Sequence, residues 1–257
     1  RALDMDTPEP ELRENRGEVD AALRGELPDL VDYNEIRGDL HLHTNWSDGK
    51  SKIHEMAKKA VDLGYEYMAV TDHFKSIWMD NGMDERDLEK QLLEIESINE
   101  KFEDSMDLCV FSGVEVDIDS EGHLNIESVL LEEIDIVVAA LHSGLKQNKY
   151  GLTDRIVKVM YNEDVVDVLA HPTGRKILEK TGYELDLERI FQAALDTNTL
   201  LEVNADPDRL DLSDVVIREA VDYGCKLVIN SNSHSLRDMK NMEMGVATAR
   251  RGWAELK

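Results

Sequence analysis

The chain has 257 residues, of which 42% are hydrophobic and 33% charged, so it can bury a globular core as one large domain or two small ones. No apolar run reaches the roughly 18 residues that span a bilayer, and the first residues lack the basic and apolar segments of a secretory signal. The net charge of −26 argues against strong independent binding to a nucleic-acid backbone, because Lys and Arg dominate such binding.

Residues 1–35 are predicted to form a linker, or an arm that lies on the surface of the following domain. Acidic residues surround few apolar ones in this segment, and Pro8, Pro10 and Pro28 interrupt it. Only residues 17–24 could form a short helix. Residues 36–257 are predicted to be the folded domain.

From residue 36 onward, short apolar runs alternate with amphipathic segments. The runs, predicted as strands, cover 36–41, 67–71, 108–116, 134–141, 166–170, 200–203 and 227–229. The segments predicted as helices cover 52–63, 85–103, 153–161, 187–196 and 213–223. This alternation predicts an α/β fold with a parallel sheet, which we expect to be a distorted (β/α)7 barrel with its site at the C-terminal strand ends. An open doubly wound sheet is the alternative, but no Gly-rich phosphate loop follows the first strand.

Single residues predict details of these elements. Thr153 and Ser213 are placed like helix N-caps, and Gly224 follows a helix where a left-handed residue is common. Cys109 and Cys225 lie in apolar runs and are predicted to be buried free thiols, which indicates a reducing, cytoplasmic setting. The Met-rich segment 239–244 is expected to pack as a helix.

Histidines stand where the predicted strands end. The first strand ends in two of them and four later strands run into one each, at His41, His43, His73, His142, His171 and His234. The third strand ends in Glu115, and Asp48 lies in the loop after the first strand. One histidine at a strand end is usually a hydrogen-bonded surface residue. Six at the ends of five strands of one barrel would converge on one mouth.

Imidazole and carboxylate groups are ligands that zinc, manganese and iron prefer. The set is too large for one tetrahedral ion, so it predicts two or three ions that share Glu115 as a bridge. His54 lies inside a predicted helix and is not assigned to the site. His123, in the loop 119–125, either touches a substrate or lies on the surface.

The ordered motifs resemble those of the PHP (polymerase and histidinol phosphatase) superfamily. They are DLHLH at 39–43, SDG at 47–49, TDH at 71–73, GVE at 113–115, LH at 141–142, AHP at 170–172 and SNSH at 231–234. Within the superfamily, the chain most resembles the C-terminal PHP domain of bacterial and archaeal family X DNA polymerases. That resemblance rests on RENRG at 13–17, IRGDLH at 36–41, HPTGR at 171–175, EVNA at 202–205, RLDL at 209–212 and GVATARRGW at 245–253.

The resemblance implies a site of three ions, commonly manganese or zinc. Matching the superfamily's motif ligands to this sequence implies the following assignment. The first ion is held by His41, His43, Glu115 and Asn232, the second by Glu115, His142 and His171, and the third by Asp48, His73 and His234. The implied activity is a 3′→5′ exonuclease, with abasic-site endonuclease and 3′-phosphatase activities beside it. The resemblance also implies a piece of a longer protein, in which a polymerase module precedes residues 1–35 and holds the DNA. A monomer without a membrane partner is expected.

Asn232 departs from the superfamily pattern, which usually has Asp at this position. The amide keeps one carbonyl oxygen but loses a negative charge and an acceptor. The first ion is therefore expected to bind less tightly or to activate its water less well. The residue is either a natural variant or an engineered substitution that disables the site to trap substrate.

Five more residues near the strand ends have two interpretations each. Arg175 and Arg209 could clamp a phosphate by paired hydrogen bonds, or form surface ion pairs in a very acidic protein. Asp72 could orient a ligand from behind or be a turn residue. Trp46 and Phe74 could stack on a base or pack against the core.

Two other functions fit the same motifs. A small-molecule phosphatase of the histidinol-phosphate type would share the metal ligands, and the net charge mildly favours it. The N-terminal segment and the motif at 245–253 favour the polymerase-linked domain instead. The second alternative is a non-catalytic domain that its metals stabilise, and Asn232 is the feature in its favour.

Overall fold

A computed structural model describes residues 4–76, 80–103, 107–162 and 165–256. In these ranges, seven parallel strands form one sheet whose strands neighbour one another in chain order. The strands are β1 (Gly38–Leu42), β2 (Tyr67–Val70), β3 (Cys109–Asp117), β4 (Ile136–Ala140), β5 (Val168–Leu169), β6 (Leu200–Asn204) and β7 (Leu227–Asn230).

Helices connect the strands and cover the outside of the sheet. The α-helices are α1 (Glu18–Arg24), α2 (Ile53–Asp62), α3 (Glu85–Glu103), α4 (Ser128–Leu131), α5 (Lys149–Asn162), α6 (Leu187–Thr197), α7 (Asp214–Tyr223) and α8 (Met242–Arg251). Short 3-10 turns lie at Pro10–Leu12, Tyr33–Glu35 and Asp238–Asn241. None of the helices in the described ranges is both long and apolar enough to cross a membrane.

The sheet closes almost completely into a barrel. The two outer strands meet where Leu42, at the end of β1, forms a parallel bridge with Ser233, just after β7. The backbone N–H of His43 donates to the carbonyl of Ser233 at 2.8 Å. Because this short contact stands in place of a full ladder, the barrel is distorted. The prediction of a distorted (β/α)7 barrel is confirmed, and the open-sheet alternative is wrong.

Alternation along the strands divides the barrel wall into two faces. Leu42 of β1 and Val114 of β3 belong to the apolar clusters that also contain helix residues, whereas His41 and Glu115 meet inside the barrel. Each buried aliphatic side chain contributes about 1.5–3 kcal/mol by leaving water. The outward residues therefore attach the helices and leave the inner face to polar side chains.

Residues 4–35, the N-terminal arm, pack on the barrel through apolar contacts of their own. Leu12, Ala21 and Trp253 form a buried cluster that joins the arm to the residues after α8. Ion pairs flank this cluster and join Arg16 to Asp214, Glu11 to Arg250 and Glu14 to Arg251, at 2.9, 2.6 and 2.7 Å. The short helix predicted at 17–24 is present as α1.

One of the two predicted N-caps is wrong. Helix α5 begins at Lys149, so Thr153 lies inside it. The Thr153 hydroxyl donates to the carbonyl of Lys149 at 2.8 Å and accepts the backbone N–H of Asp186 at 2.9 Å. A partner 33 residues away therefore determines its role. Ser213 is confirmed as the N-cap of α7, where its side chain accepts the N–H of Val216.

Cys109 and helix α8 also differ from the predictions. Cys109 is exposed because it is the first residue of β3, where the strand has not yet entered the core, although both cysteines are free as expected. The Met-rich segment 239–244, predicted to pack as a helix, spans the end of a 3-10 turn and the start of α8, which continues through Gly245 to Arg251. That glycine allows close packing, since a Cβ there would lie 2.6 Å from Ile229 Cγ2 and 2.7 Å from Ala205 Cβ.

Candidate metal centre

Strand β1 supplies the deepest side chains of the site. Its period of two turns His41 toward the barrel interior, and His43 follows the strand in the same direction. Both imidazoles are completely buried. The rings lie with their centroids 5.1 Å apart, so that one strand end presents two nitrogen ligands to one volume.

Glu115 is the centre of the site, because its carboxylate is surrounded by five imidazoles from the ends of four strands. Its side chain is 1% exposed. From Oε2, the nearest ring nitrogens of His41, His43 and His73 lie at 3.3, 3.5 and 3.0 Å. From Oε1, the Nε2 atoms of His142 and His171 lie at 3.4 and 3.1 Å. One carboxylate thus has both of its oxygens facing possible metal positions.

Asp48 forms the second, more exposed part of the site. Its Oδ2 lies 3.3 Å from His234 Nε2 and 3.9 Å from His73 Nε2, and its Oδ1 lies 3.8 Å from His43 Nδ1. The rings of His43 and His234 stack with centroids 4.2 Å apart. Asp48 and His234 are each one-third exposed, so this side of the site faces the opening.

In the described part of the chain, three sets of donor atoms could hold a cation, because the atoms within each set lie within 4.8 Å of one another. The sets are His43, Asp48, His73 and His234; His41, His43 and Glu115; and His73, Glu115 and His142. The first contains the ligands that the resemblance assigns to the third ion, and the second contains three of the four that it assigns to the first ion, without Asn232. The last set has His73 beside Glu115 and His142, while His171 reaches the same carboxylate at 3.1 Å.

The donor set fits divalent cations. His41 Nε2 and His43 Nδ1 are buried nitrogens without a well-formed hydrogen bond, and a buried polar atom left unpaired costs roughly 1–3 kcal/mol. A cation beside Glu115 would satisfy His41 Nε2, and a cation beside Asp48 would satisfy His43 Nδ1. Nitrogen and carboxylate oxygen together are the chemistry of zinc, manganese and iron sites.

Electrostatics keep several of these groups in the state that a metal ligand needs. Burial raises the pKa of Glu115, but the charges of His73 and His41 outweigh it and hold that pKa well below its usual range. Burial and the nearby His73 and His234 lower the pKa of His43. His43 is therefore a neutral donor at neutral pH, and Glu115 is a charged one.

Glu202 is the residue of this site that sequence reasoning missed. It is fully buried on β6, and its Oε1 lies 2.6 Å from His41 Nδ1. Its Oε2 accepts the backbone N–H of His171 at 2.7 Å. The side-chain amides of Asn204 and Asn230 donate to the same carboxylate at 2.9 and 3.0 Å. The sequence feature that could have predicted Glu202 is a charged residue at an inward-facing position of an otherwise apolar strand.

Because Glu202 occupies Nδ1 of His41, it sets the direction in which that ring binds. Burial lowers the pKa of His41, but the charges of Glu202 and Glu115 outweigh it and raise the pKa to about 10. At that pKa the ring carries a proton on both nitrogens at neutral pH. A bound cation would take the place of the Nε2 proton while Glu202 keeps the proton on Nδ1, and Nε2 is the atom that faces Glu115.

Asp72 and Asp117 fix the loops that carry ligands. Asp72 accepts the backbone N–H of Thr44 at 2.7 Å and the hydroxyl of Ser47 at 2.5 Å, so it holds the loop that leads to Asp48. Asp117 accepts the backbone N–H of His142 at 2.9 Å. The orienting interpretation of Asp72 therefore fits better than that of a simple turn residue.

The two candidate phosphate clamps have different surroundings. Arg175 donates to the carbonyls of Arg209, at 3.0 Å, and Leu210, so it braces the loop between β6 and α7. The guanidinium of Arg209 is 4.0 Å from Asp206. Burial, and after it the charge of Arg209, lowers the pKa of His171 to about 4. Arg209 therefore lies near the ligands, whereas Arg175 is committed to the loop.

Asn232 lies beside His43, which the resemblance assigns to the same ion. Its Oδ1 is 3.0 Å from His43 Nε2, and the same Nε2 atom lies 3.5 Å from Glu115 Oε2. Its backbone has a φ of 52°, a left-handed conformation that Asn adopts more readily than most residues.

The two aromatic candidates lie in packing positions, whereas His123 is exposed on the surface. Trp46 and Phe74 are partly buried against the apolar clusters, and Trp46 Nε1 donates to Glu94 at 2.9 Å. These contacts favour the packing interpretation for both. His123 Nε2 is 2.9 Å from Lys158 Nζ, in the loop after β3.

Comparison with known proteins gives three kinds of match. The family model described as the PHP domain matches residues 39–206. The DNA polymerase/3′-5′ exonuclease PolX of Bacillus subtilis (strain 168) is 40% identical over 248 residues, which are 96% of this chain and 42% of that protein. The chain thus spans about two-fifths of the length of this relative.

Smaller relatives match over most of their length. A probable phosphatase of Thermoanaerobacter sp. (strain X514) is 26% identical over 80% of this chain and 82% of its own. Among solved structures, histidinol phosphate phosphatase from Lactococcus lactis, complexed with zinc, L-histidinol and phosphate, has a TM-score of 0.64. The aligned region is 18% identical and covers 84% of this chain and 93% of the phosphatase chain. At that identity, the likeness shows a shared fold.

Proposed function

This chain belongs to the PHP family, and from that membership we propose that it is a metal-dependent phosphoesterase that removes nucleotides from the 3′ end of DNA. The observation that carries the proposal is the ring of five imidazoles around the single buried carboxylate of Glu115. The relative named as a polymerase and 3′-5′ exonuclease supports DNA as the substrate, because it aligns with nearly the whole chain. Abasic-site cleavage and 3′-phosphate removal belong to the same proposal.

The proposed ligands are divided among three ions, manganese or zinc, as the motif comparison implies. The proposed sets, which rest on the resemblance, are His41, His43, Glu115 and Asn232; Glu115, His142 and His171; and Asp48, His73 and His234. When bound, such ions neutralise phosphate charge and lower the pKa of a coordinated water.

The chain's own residues would orient the substrate at the exposed side of the centre. His142 is 26% exposed, and Asp48 and His234 are 33% exposed, whereas His41 and His43 are fully buried. A phosphodiester must therefore approach from the Asp48 and His142 side. Arg209, whose charge lowers the pKa of His171, would donate paired hydrogen bonds to a phosphate oxygen pair.

We propose that residues 1–35 connect this domain, residues 36–257, to a polymerase module that holds most of the DNA. The net charge of −26 supports this division, because the domain's own surface repels a phosphate backbone. The contacts of the N-terminal arm support a fixed connection, since Leu12 and Trp253 bury one another's surface.

The test compares this chain with its Asn232→Asp variant in Mn²⁺-dependent degradation of a 5′-labelled single-stranded oligonucleotide. The variant restores a negative ligand charge, so we expect it to shorten the DNA from the 3′ end about tenfold faster or more. An Asn198→Asp variant, on the loop after α6, is the matched control. Intact DNA with both proteins, while metal is bound, would overturn the nuclease proposal and favour a metal-stabilised structural domain.

A phosphatase acting on small phosphomonoesters is the second candidate. It is favoured by the probable phosphatases, of which the chain covers about four-fifths. Hydrolysis of p-nitrophenyl phosphate decides between the two: a higher kcat/KM for this compound than for an oligonucleotide supports the phosphatase. The reverse order supports the nuclease.

A further inference from the structure

The loop between β5 and α6 projects as a hairpin beside the candidate metal centre. This rim hairpin comprises residues 173–183, and its ends are joined where the N–H of Tyr183 donates to Thr173 at 2.7 Å. Lys176 and Lys180 form an antiparallel bridge, with an N–H to carbonyl distance of 3.0 Å. The tip between them therefore stands away from the barrel.

The tip carries an apolar residue that folding does not explain. Leu178 is 103% exposed and has a φ of 66°. A left-handed backbone costs a leucine roughly 1–2 kcal/mol, and a side chain left in water returns no burial energy. Ile177 beside it is 39% exposed. Asn or Gly would suit this backbone better, which indicates that the side chain of Leu178 serves to contact a binding partner.

Hydrogen bonds hold the hairpin at the mouth of the barrel. The N–H of Ile177 donates to the carbonyl of Asp208 at 2.7 Å, and Arg175 braces the same loop at Arg209. The hairpin also begins two residues after His171, a proposed ligand. The tip and the metal centre therefore open toward the same side of the molecule.

Cations flank the apolar tip in a chain that is otherwise strongly acidic. Lys176 and Lys180 stand on the two sides of Leu178, and Glu179 is an acid of the tip. Lys180 Nζ lies 4.6 Å above the ring of Tyr183 and 3.2 Å from its hydroxyl. Burial, and after it the charge of Arg209, lowers the pKa of Lys180.

We propose that the rim hairpin holds the nucleic-acid strand whose 3′ end occupies the metal centre. Lys176 and Lys180 contact phosphates of the strand, and Leu178 packs against a nucleobase. Apolar side chains that insert beside bases, with cations along the backbone, are a recurring way to bind DNA. The inference rests on the proposed function and deepens it, because it names the surface that holds the DNA strand.

The test uses two hairpin variants, Leu178→Asn and Lys176→Gln/Lys180→Gln, and Lys226→Gln as a control. Lys226 is exposed at the start of β7, at the opposite end of the barrel. Each protein is assayed with Mn²⁺ on a 5′-labelled single-stranded oligonucleotide and on p-nitrophenyl phosphate, and its oligonucleotide affinity is measured by fluorescence anisotropy. Asn adopts the left-handed conformation readily, so Leu178→Asn should not reduce folding stability.

We expect each hairpin variant to weaken oligonucleotide affinity and raise KM by about 5- to 10-fold. The kcat/KM for p-nitrophenyl phosphate should stay within about twofold, because the tip lies beyond a small substrate. For the double Lys variant, the slope of log affinity against log salt should become shallower by about 1.4, or about 0.7 for each lost phosphate contact.

Two results would overturn the role of the hairpin. Unchanged oligonucleotide affinity in both variants removes the contacts, and an equal loss on both substrates means that the hairpin only supports the metal centre. If the unmodified chain and its Asn232→Asp variant neither bind nor shorten the oligonucleotide, the proposed function fails together with the hairpin proposal. Cleavage that the hairpin variants leave unaffected sinks the hairpin proposal alone.

Discussion

At the scale of single residues, the centre depends on buried carboxylates that touch its ligands from behind. Glu202 contacts the ring of His41 and the backbone of His171, so one side chain positions two proposed ligands. Partners of this kind commonly change metal affinity by about 10–100-fold. Asp72 and Asp117 have similar roles toward loops, but they contact backbone and hydroxyl groups.

We predict that Glu202→Gln weakens binding of the tightest metal ion by about 10- to 100-fold. The amide has one acceptor where the carboxylate has two, and it offers an N–H₂ group that faces donors. Metal content after dialysis, measured by mass spectrometry, and a titration with Mn²⁺ both test this expectation.

The matched control is Glu219→Gln, an exposed residue on α7. It should retain the metal content of the unmodified chain. The same metal affinity in Glu202→Gln as in the control would mean that Glu202 does not orient His41. The melting temperature of each metal-free protein separates a loss of binding from a loss of folding.

At the scale of elements, the N-terminal arm is a packed part of the domain. Its contacts are apolar as well as charged, and they reach residues on α7, on α8 and after α8. The ion pairs are partly exposed and are worth little each. The buried cluster around Leu12, which is 1% exposed, is therefore the main attachment of the arm.

We predict that Leu12→Ala lowers the free energy of unfolding by about 2–3 kcal/mol, because it removes buried apolar surface and leaves a cavity. Leu23→Ala, on helix α1 where the side chain is 57% exposed, should change it by less than about 0.5 kcal/mol. Urea unfolding followed by circular dichroism measures both. Equal midpoints for the two variants would show an arm that unfolds separately from the barrel.

At the scale of the whole molecule, the acidic charge and the metal centre act together. The net charge of −26 destabilises the compact chain through self-repulsion. The centre concentrates Glu115, Glu202 and Asp48 with six histidines inside one barrel mouth. Bound divalent cations would offset this local charge and satisfy the unpaired nitrogens of His41 and His43.

We predict that Mn²⁺ at 100 times its Kd stabilises the chain by about 2.7 kcal/mol for each tightly held ion. For a chain of this size, that corresponds to a rise in Tm of about 5–10 °C. EDTA should reverse the rise in a thermal scan. Potassium chloride at the same ionic strength is the control, because it screens the surface charge without occupying the centre. Equal Tm values in manganese, EDTA and potassium chloride would contradict the assignment.

The sequence by itself determined the alternation of strands and helices and the residues at the strand ends. It left closure of the sheet open, because an open doubly wound sheet fits the same alternation, and the bridge between Leu42 and Ser233 decided it. Alternating apolar runs and helices require a parallel sheet, and the C-terminal ends of parallel strands meet at one edge, so His41, Glu115 and His171 could be placed together without coordinates. Only the tertiary structure decided contacts between residues distant in the chain. Glu202 meets His41 across 161 positions, and Glu11 meets Arg250 across 239. Periodicity reports the face on which a side chain lies, whereas closure of the barrel determines which side chain it meets there.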